Sequence, residues 1–338
     1  MKIKSILSLR ASNDMVYSDL IYEWEDDYSE KLNVPIVSHC KFIKRLQNAL
    51  FIIANKTHLD TGLQRIDRLI SRNKHKVLVF TLYPKTFFSS FSSSNKIPFI
   101  IDFDYGVDLK TFYKVYQNCD IVIISSRVAY EYLKNNNCPL NIKHVPLSIK
   151  SNLKVQRIDM KDREYDIFIA RQNPVLMEYL KRYEQKHPDI HYIIRKWDNG
   201  ALYSGNAYYS NKKGRLGEFS DRNAYFGLLA NSKVAFYSTT GSDTPNTRFM
   251  NHVTPALLEY LTAGCYIMIR WYDTPDSEFF NLSHYFENVK TYESFERLLD
   301  RFLSAANNSY DICDDFLRKY GFSNQFKIFQ QVIKDHEQ

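Results

Sequence analysis

A chain of 338 residues is too long for one ordinary domain, so two are expected. With 44% hydrophobic and 15% aromatic residues it has ample material for a core, which excludes general disorder. Its 45 Lys+Arg against 38 Asp+Glu, a net +7, favours anionic partners: phosphorylated small molecules, acidic lipid headgroups or nucleic acid.

In chain order, MKIKSILSLRASND has too short an apolar run for a signal peptide and reads as a first strand. Phe42, Ile43, Leu46, Ala49, Leu50 and Ile53 recur at helical spacing. Around and after them come Lys41, Lys44, Arg45, Arg65, Arg68, Arg72, Lys74 and Lys76. Solvated helix faces account for such charge most simply, and attraction to anionic lipid is the sharper alternative. No recognisable nucleic-acid module accompanies these residues, so no nucleic-acid partner is expected. KVLVFTL, IPFIIDF and DIVIIS read as buried strands, and FFSSFSSSNK between the first two as a loop. Asp102 and Asp104 form an Asp-x-Asp at a strand end. Paired carboxylates suit a divalent cation, one alone suits a general base, and both suit an ordinary loop. Ser125 ends DIVIIS and Ser126 follows it, where a serine caps the next helix or faces a ligand.

After HVPLSIK the residues from Ser151 are charged and poorly periodic, and strand–helix alternation restarts at YDIFIA. The expected division is a first domain over 1–150, a linker over 151–163, a second domain over 164–309, and helices over 310–338 packing back on the first. DIFIA, HYIIR, KVAFYS and YIMIR continue the buried-strand pattern, which implies parallel sheets covered on both faces. Arg171 stands just past DIFIA and Lys196 ends HYIIRK. The loop after KVAFYS carries Gly241, Ser242, Arg248 and Asn251, then Thr254-Pro255 and Glu259. Thr at the cap and Pro at the first position start a helix, whose free amides and dipole suit an anion. Gly241 lets backbone approach a ligand. A plain capped helix is the bland alternative.

The five cysteines are odd in number and dispersed, with no CxxC or Cys/His cluster. Neither a disulfide framework nor a zinc site is indicated, no cofactor is expected, and a reducing cytoplasm fits. Nowhere do about 18 apolar residues run together, so no membrane span is expected.

The second half, from Arg171 through the Thr254 helix, Glu259 and YLTAGCYIMI, resembles the nucleotide-sugar domain of bacterial GT-B glycosyltransferases of surface polysaccharide synthesis. The resemblance implies two Rossmann-like α/β domains facing a cleft, with the donor on the second. Glu259 matches the second of the family's two helix glutamates, the one that binds the donor ribose. Asn251 stands where the first would be, which leaves the stereochemical outcome open. The helix start, with Thr254, Gly241 and Ser242, would hold the diphosphate. Arg171, Lys196 or Arg248 would supply the charge that the family's missing lysine provides. Ser125 and Ser126 would lie on the acceptor side, where Asp102 or Asp104 could act as base. The expected reaction moves a sugar from a nucleotide-diphosphate donor to a hydroxyl of a glycan or lipid-linked glycan, without metal, in the cytoplasm or at the inner membrane face. Two alternatives stay open: a metal-dependent GT-A-like transferase using Asp102 and Asp104, and a sugar-nucleotide-binding protein without turnover.

Overall fold

The apolar runs pair side by side as strands. The structure is a computed structural model that describes residues 2–8, 19–38, 75–84, 95–150, 153, 155–199, 206–218, 222–245, 248–305 and 310–336. In its first unit the strands are β1 (Ile3–Ser8), β2 (Ile36–Ser38), β3 (Lys76–Thr81), β4 (Lys96–Ile100), β5 (Val122–Ile124) and β6 (Ile142–His144). They form a six-stranded sheet in the order β2-β1-β3-β4-β5-β6, parallel throughout. Every residue of β4 is buried, as a strand covered on both faces requires. The described helices of this unit are α1 (Asp19–Leu32), α2 (Leu109–Tyr116) and α3 (Arg127–Asn135).

The second unit contains β7 (Tyr165–Ile169), α4 (Pro174–Lys186), β8 (Tyr192–Trp197), β9 (Asn206–Ser210), β10 (Gly214–Gly217), α5 (Arg222–Ala230), β11 (Ser232–Ser238), α6 (Pro255–Thr262) and β12 (Tyr266–Arg270). After them come α7 (Pro275–Phe279), α8 (Leu282–Tyr285), α9 (Tyr292–Leu303) and α10 (Tyr310–Tyr320). Its sheet order is β10-β9-β8-β7-β11-β12. Strands β8, β7, β11 and β12 are parallel, but β9 and β10 run antiparallel. That ribbon departs from the all-parallel expectation. The chain from β8 into β9 is too short a connection for a crossover helix, so the next strand must run back. Each unit is an α/β Rossmann-like sheet, the fold class the sequence implied.

Core packing on one face of the second sheet joins Ile167, Ile169, Val234, Phe236 and Met268 to Leu176 and Leu180 of α4 and Phe295 and Leu299 of α9. Burying each such side chain contributes about 1.5–3 kcal/mol. On the other face Phe168 packs against Tyr208, Tyr225 and Tyr260.

The two compact units are Met1–Lys150 with Gln325–Gln338, and Ser151–Asn324. The terminal helices therefore divide. Helix α10 stays with the second unit, where Phe316 and Tyr320 pack on Phe280 and Tyr285. The last helix, α11 (Phe322–Asp335), brings Phe326 and Phe329 within 5.4 and 4.8 Å of the buried Tyr28 ring of α1. The helix-period segment 42–53, the basic residues from Lys41 to Lys74 and most of FFSSFSSSNK lie outside the described residues. Lys76 lies within them and pairs with Asp120.

Candidate functional site

Strand order in the second sheet reverses between β7 and β11: β8 lies beyond one and β12 beyond the other. The crevice at the carboxyl ends of strands flanking such a reversal is where ligands bind in open α/β sheets. Arg171 leaves β7 there, and the loop Thr239–Asp243 leaves β11. Arg171 Nη1 donates to Thr240 Oγ1 at 2.9 Å. Thr240 Oγ1 is 3.5 Å from His252 Nε2, and His252 Nδ1 is 3.0 Å from the Met250 carbonyl. An Nδ1–H tautomer satisfies both: the imidazole donates to Met250 and accepts from Thr240. Ser242 Oγ donates to Asn251 Oδ1 at 3.0 Å and lies 2.6 Å from Thr239 Oγ1.

This loop is held from both neighbouring strands. Asp243, in the left-handed region at φ 57°, accepts from Arg270 Nε at 2.6 Å and Nη2 at 2.8 Å, from Asn173 Nδ2 at 2.9 Å and from the Tyr272 hydroxyl at 2.9 Å. Burial pushes the Asp243 carboxyl up, but the Arg270, Asn173 and Tyr272 hydrogen bonds outweigh it and hold the pKa below its ordinary value. Gly241 has φ 79°, and a Cβ there would come 2.6 Å from Phe249 Cβ. Only glycine fits.

Glu259, on α6, is buried and already engaged. Arg222 Nη1 donates to Oε1 at 2.6 Å and the Tyr225 hydroxyl to Oε2 at 2.9 Å. Burial, then the charge of Glu259, lifts the Tyr225 hydroxyl well above its ordinary pKa, so it stays a donor. Tyr208 beside them is pushed up to about 12 by burial, against the pull of Arg195. Arg195 and Tyr208 are register partners on β8 and β9. Arg171 and Arg195 both lower the cost of ionising buried Tyr260, so their charges converge on this face. Arg222 pairs with Glu259, while Arg171 on Thr240 and Arg195 opposite Tyr208 have no carboxylate among these contacts, and guanidinium groups so placed suit phosphate.

The start of α6 offers an anion less than its sequence suggested. Thr254 makes no side-chain cap, its backbone N–H donates to the Tyr237 hydroxyl at 2.8 Å, and Pro255 has no N–H. Lys196 alternates away from Arg195, with its ammonium 5.7 Å over the Tyr209 ring. Arg248 is exposed on the loop. Arg195, Arg222 and Tyr225 were missed by the sequence reading. Period-two alternation places Arg195, not Lys196, on the face of Ile193, a usable signal for that residue. Nothing local marks Arg222 or Tyr225, which reach Glu259 only through packing of α5 on α6.

In the first unit, Asp104 Oδ1 accepts the Gly106 N–H at 2.7 Å, a side-chain-closed turn, and Asp102 is half-buried beside it. Among the described residues no group of three or more His, Cys, Asp or Glu is placed to hold a metal ion. Ser125 is buried and donates to the Ile101 carbonyl, and Ser126 caps α3, accepting the Ala129 N–H at 3.2 Å. Both serines carry structural bonds. His144 Nε2 is 3.1 Å from the Ser125 carbonyl. Cys119, Cys138, Cys265 and Cys313 are free thiols. Among the described residues no helix is long and apolar enough to cross a membrane.

No family profile and no curated protein matches the sequence. Among solved structures, a UDP-N-acetylglucosamine 2-epimerase from Listeria monocytogenes is similar at 13% identity and a TM-score of 0.49, over 100% of this chain and 97% of that one. The glycotransferase of kitacinnamycin is similar at 7% identity and a TM-score of 0.39, over 98% of each chain. At these values the fold rests on the strand order itself.

Proposed function

We propose that the chain transfers a glycosyl group from a nucleoside-diphosphate sugar to a hydroxyl of a glycan or lipid-linked glycan. The observation that carries this reading is the placement of Arg171 on Thr240, Arg195 opposite Tyr208 and the Arg222–Glu259 pair by the Thr240–Ser242 loop, at the reversal of a parallel sheet. In this reading Arg171 and Arg195 hold the diphosphate, with Thr240 and Ser242 supplying hydroxyls. Glu259 accepts from the ribose through lone pairs that Arg222 and Tyr225 leave over. As the acceptor oxygen bonds to the anomeric carbon and the bond to phosphate breaks, charge grows on the leaving diphosphate. Fixed guanidinium donors stabilise that charge more than the ground state. Asp102 is the proposed base for the acceptor proton. Asp104, closing its own turn, is the weaker choice. Peripheral attachment to anionic lipid stays a proposal carried by the net charge of +7.

A second reading, donor binding without turnover, is favoured by one observation: Asn251 is committed to Ser242 where the resemblance expects a carboxylate.

The test is a thermal-shift series with UDP, GDP, CMP and their sugars, followed by a turnover assay on whichever stabilises. A ligand at a hundred times its Kd should add about 2.7 kcal/mol, and Arg171→Ala should remove most of that shift. Arg171→Lys keeps the charge but not the planar fork, so it should lower kcat more than it raises KM. Stabilisation without sugar release to water or acceptor would select the second reading. If no nucleotide shifts the melting curve, both readings fail.

A further inference from the structure

The amino end of β12, opposite the candidate site, borders a cavity of about 340 Å³ that the proposed reaction does not use. Its wall is Leu261, Tyr266, Ile267, Phe286, Phe302 and Ile312, with Cys265 and Cys313 at its base. Tyr266 and Phe302 stack at 4.8 Å, making one flat side. Burial raises the Cys265 thiol to about 12, so the thiol is neutral, and the buried Arg163 behind it is spent on the Ser232 and Ala263 carbonyls. Polar character is confined to the rim. Glu287 there is neutralised by Arg297. Arg301, also on the rim, is exposed, lies over the Phe302 ring at 5.1 Å, and has no carboxylate partner among the described residues. An apolar chamber with one uncompensated cation at its mouth has the polarity of an amphiphile with a negative head.

We propose that this cavity binds a single-chain anionic amphiphile, with its alkyl chain against Tyr266, Ile267 and Phe302 and its head on Arg301. Size sets the chain length. A cavity of about 150 Å³ holds benzene, so 340 Å³ accommodates a chain of about ten to twelve carbons by the same scaling. The volume also lies within the usual range for small-molecule sites, near its lower end. Carboxylate and phosphate heads share the required chemistry, and the experiment separates them. The site is independent of nucleotide binding, because its residues are on the other end of the sheet from Arg171 and Thr240.

Calorimetry on the full chain, with every probe below its micelle concentration, tests this. The probes are hexanoate, octanoate, decanoate and dodecanoate, with decyl phosphate and neutral decyl maltoside as comparisons. Binding should saturate at one per chain, tighten about three- to four-fold per methylene, and stop tightening once the cavity is full. Arg301→Gln should weaken the anionic probes about three- to ten-fold and leave decyl maltoside unchanged. Ala305→Trp, which fills the chamber, should abolish binding of all of them. Ile312→Glu, at an exposed position (49%), puts a like charge at the mouth and should weaken only the anions. Whichever head binds tighter identifies the natural class. No saturable binding to the wild-type chain, or equal affinities across the chain-length series and all three variants, would overturn the proposal.

Discussion

Glu259 shows how a residue's meaning changes once its neighbours are known. As a helix glutamate it was a ribose acceptor. Folded, it is a buried carboxylate whose charge is balanced by Arg222 before any ligand arrives. Removing one partner of a buried pair leaves an uncompensated charge, which costs about 3–5 kcal/mol. Arg222→Ala should therefore lower the unfolding free energy read from urea curves by that order, and Glu259→Gln in the same background should recover part of it. Equal midpoints for Arg222→Ala and wild type would show the pair to be energetically idle. His144 gives a pH signature. Burial first, then the positive charge of Arg127, lowers its pKa to about 4 from an ordinary 6.5, although the bond to the Ser125 carbonyl works the other way. The unfolded chain binds a proton below about pH 6.5 that the folded one refuses until about pH 4. Stability from this group is full above that window and falls as pH drops through it, by at most about 3 kcal/mol. Denaturation curves at pH 7 and pH 4.5 should show the loss, and His144→Gln should shrink it. An unchanged pH dependence in that variant would remove His144 as the cause.

At the scale of elements, the loop after β11 depends on a few backbone and side-chain constraints. Gly241 supplies the positive φ, Asp243 ties the loop to Arg270 and Asn173, and Ser242 turns inward to Asn251. Gly241→Ala meets both the strained φ and the Phe249 contact. It should cost about 1–3 kcal/mol and shift Thr240 off Arg171, so the nucleotide-induced stabilisation should drop with the melting temperature. Calorimetric scans with and without nucleotide check both, and a melting temperature equal to wild type would mean the loop accommodates a Cβ. The polar loop between β11 and α6 was legible in the sequence, because turn residues and apolar runs are local. The sequence named Lys196 and not Arg195: alternation along β8 separates the two, but which face of β8 meets the ligand depends on the helices that cover it.

For the whole chain, α11 returns from the second unit to complete the core of the first. The Gln325 amide donates to the buried Tyr28 hydroxyl at 2.6 Å, and Phe326 and Phe329 close the aromatic cluster with Phe80 and Phe99. Losing one buried Phe side chain costs about 3–5 kcal/mol, and losing two is comparable to the stability of a whole domain. A fragment of residues 1–150 should therefore lack a cooperative melting transition, and adding a peptide of residues 325–338 should restore one. Cooperative unfolding of 1–150 alone, unaffected by the peptide, would contradict this.

From its sequence alone this protein is an α/β chain of two domains with largely parallel buried strands, a polar loop at a strand end and an excess of positive charge. Those features depend on short-range periodicity, turn residues and composition, which act before any long-range contact forms. Only the tertiary structure decided that Arg222 and Tyr225 occupy Glu259, that Arg195 joins Arg171, and that the Thr254 amide is spent on Tyr237. It also decided that β9 and β10 run back against the parallel strands, and that α10 and α11 part company. Each of these is a contact between residues distant along the chain or a choice of face, set by which surfaces bury one another.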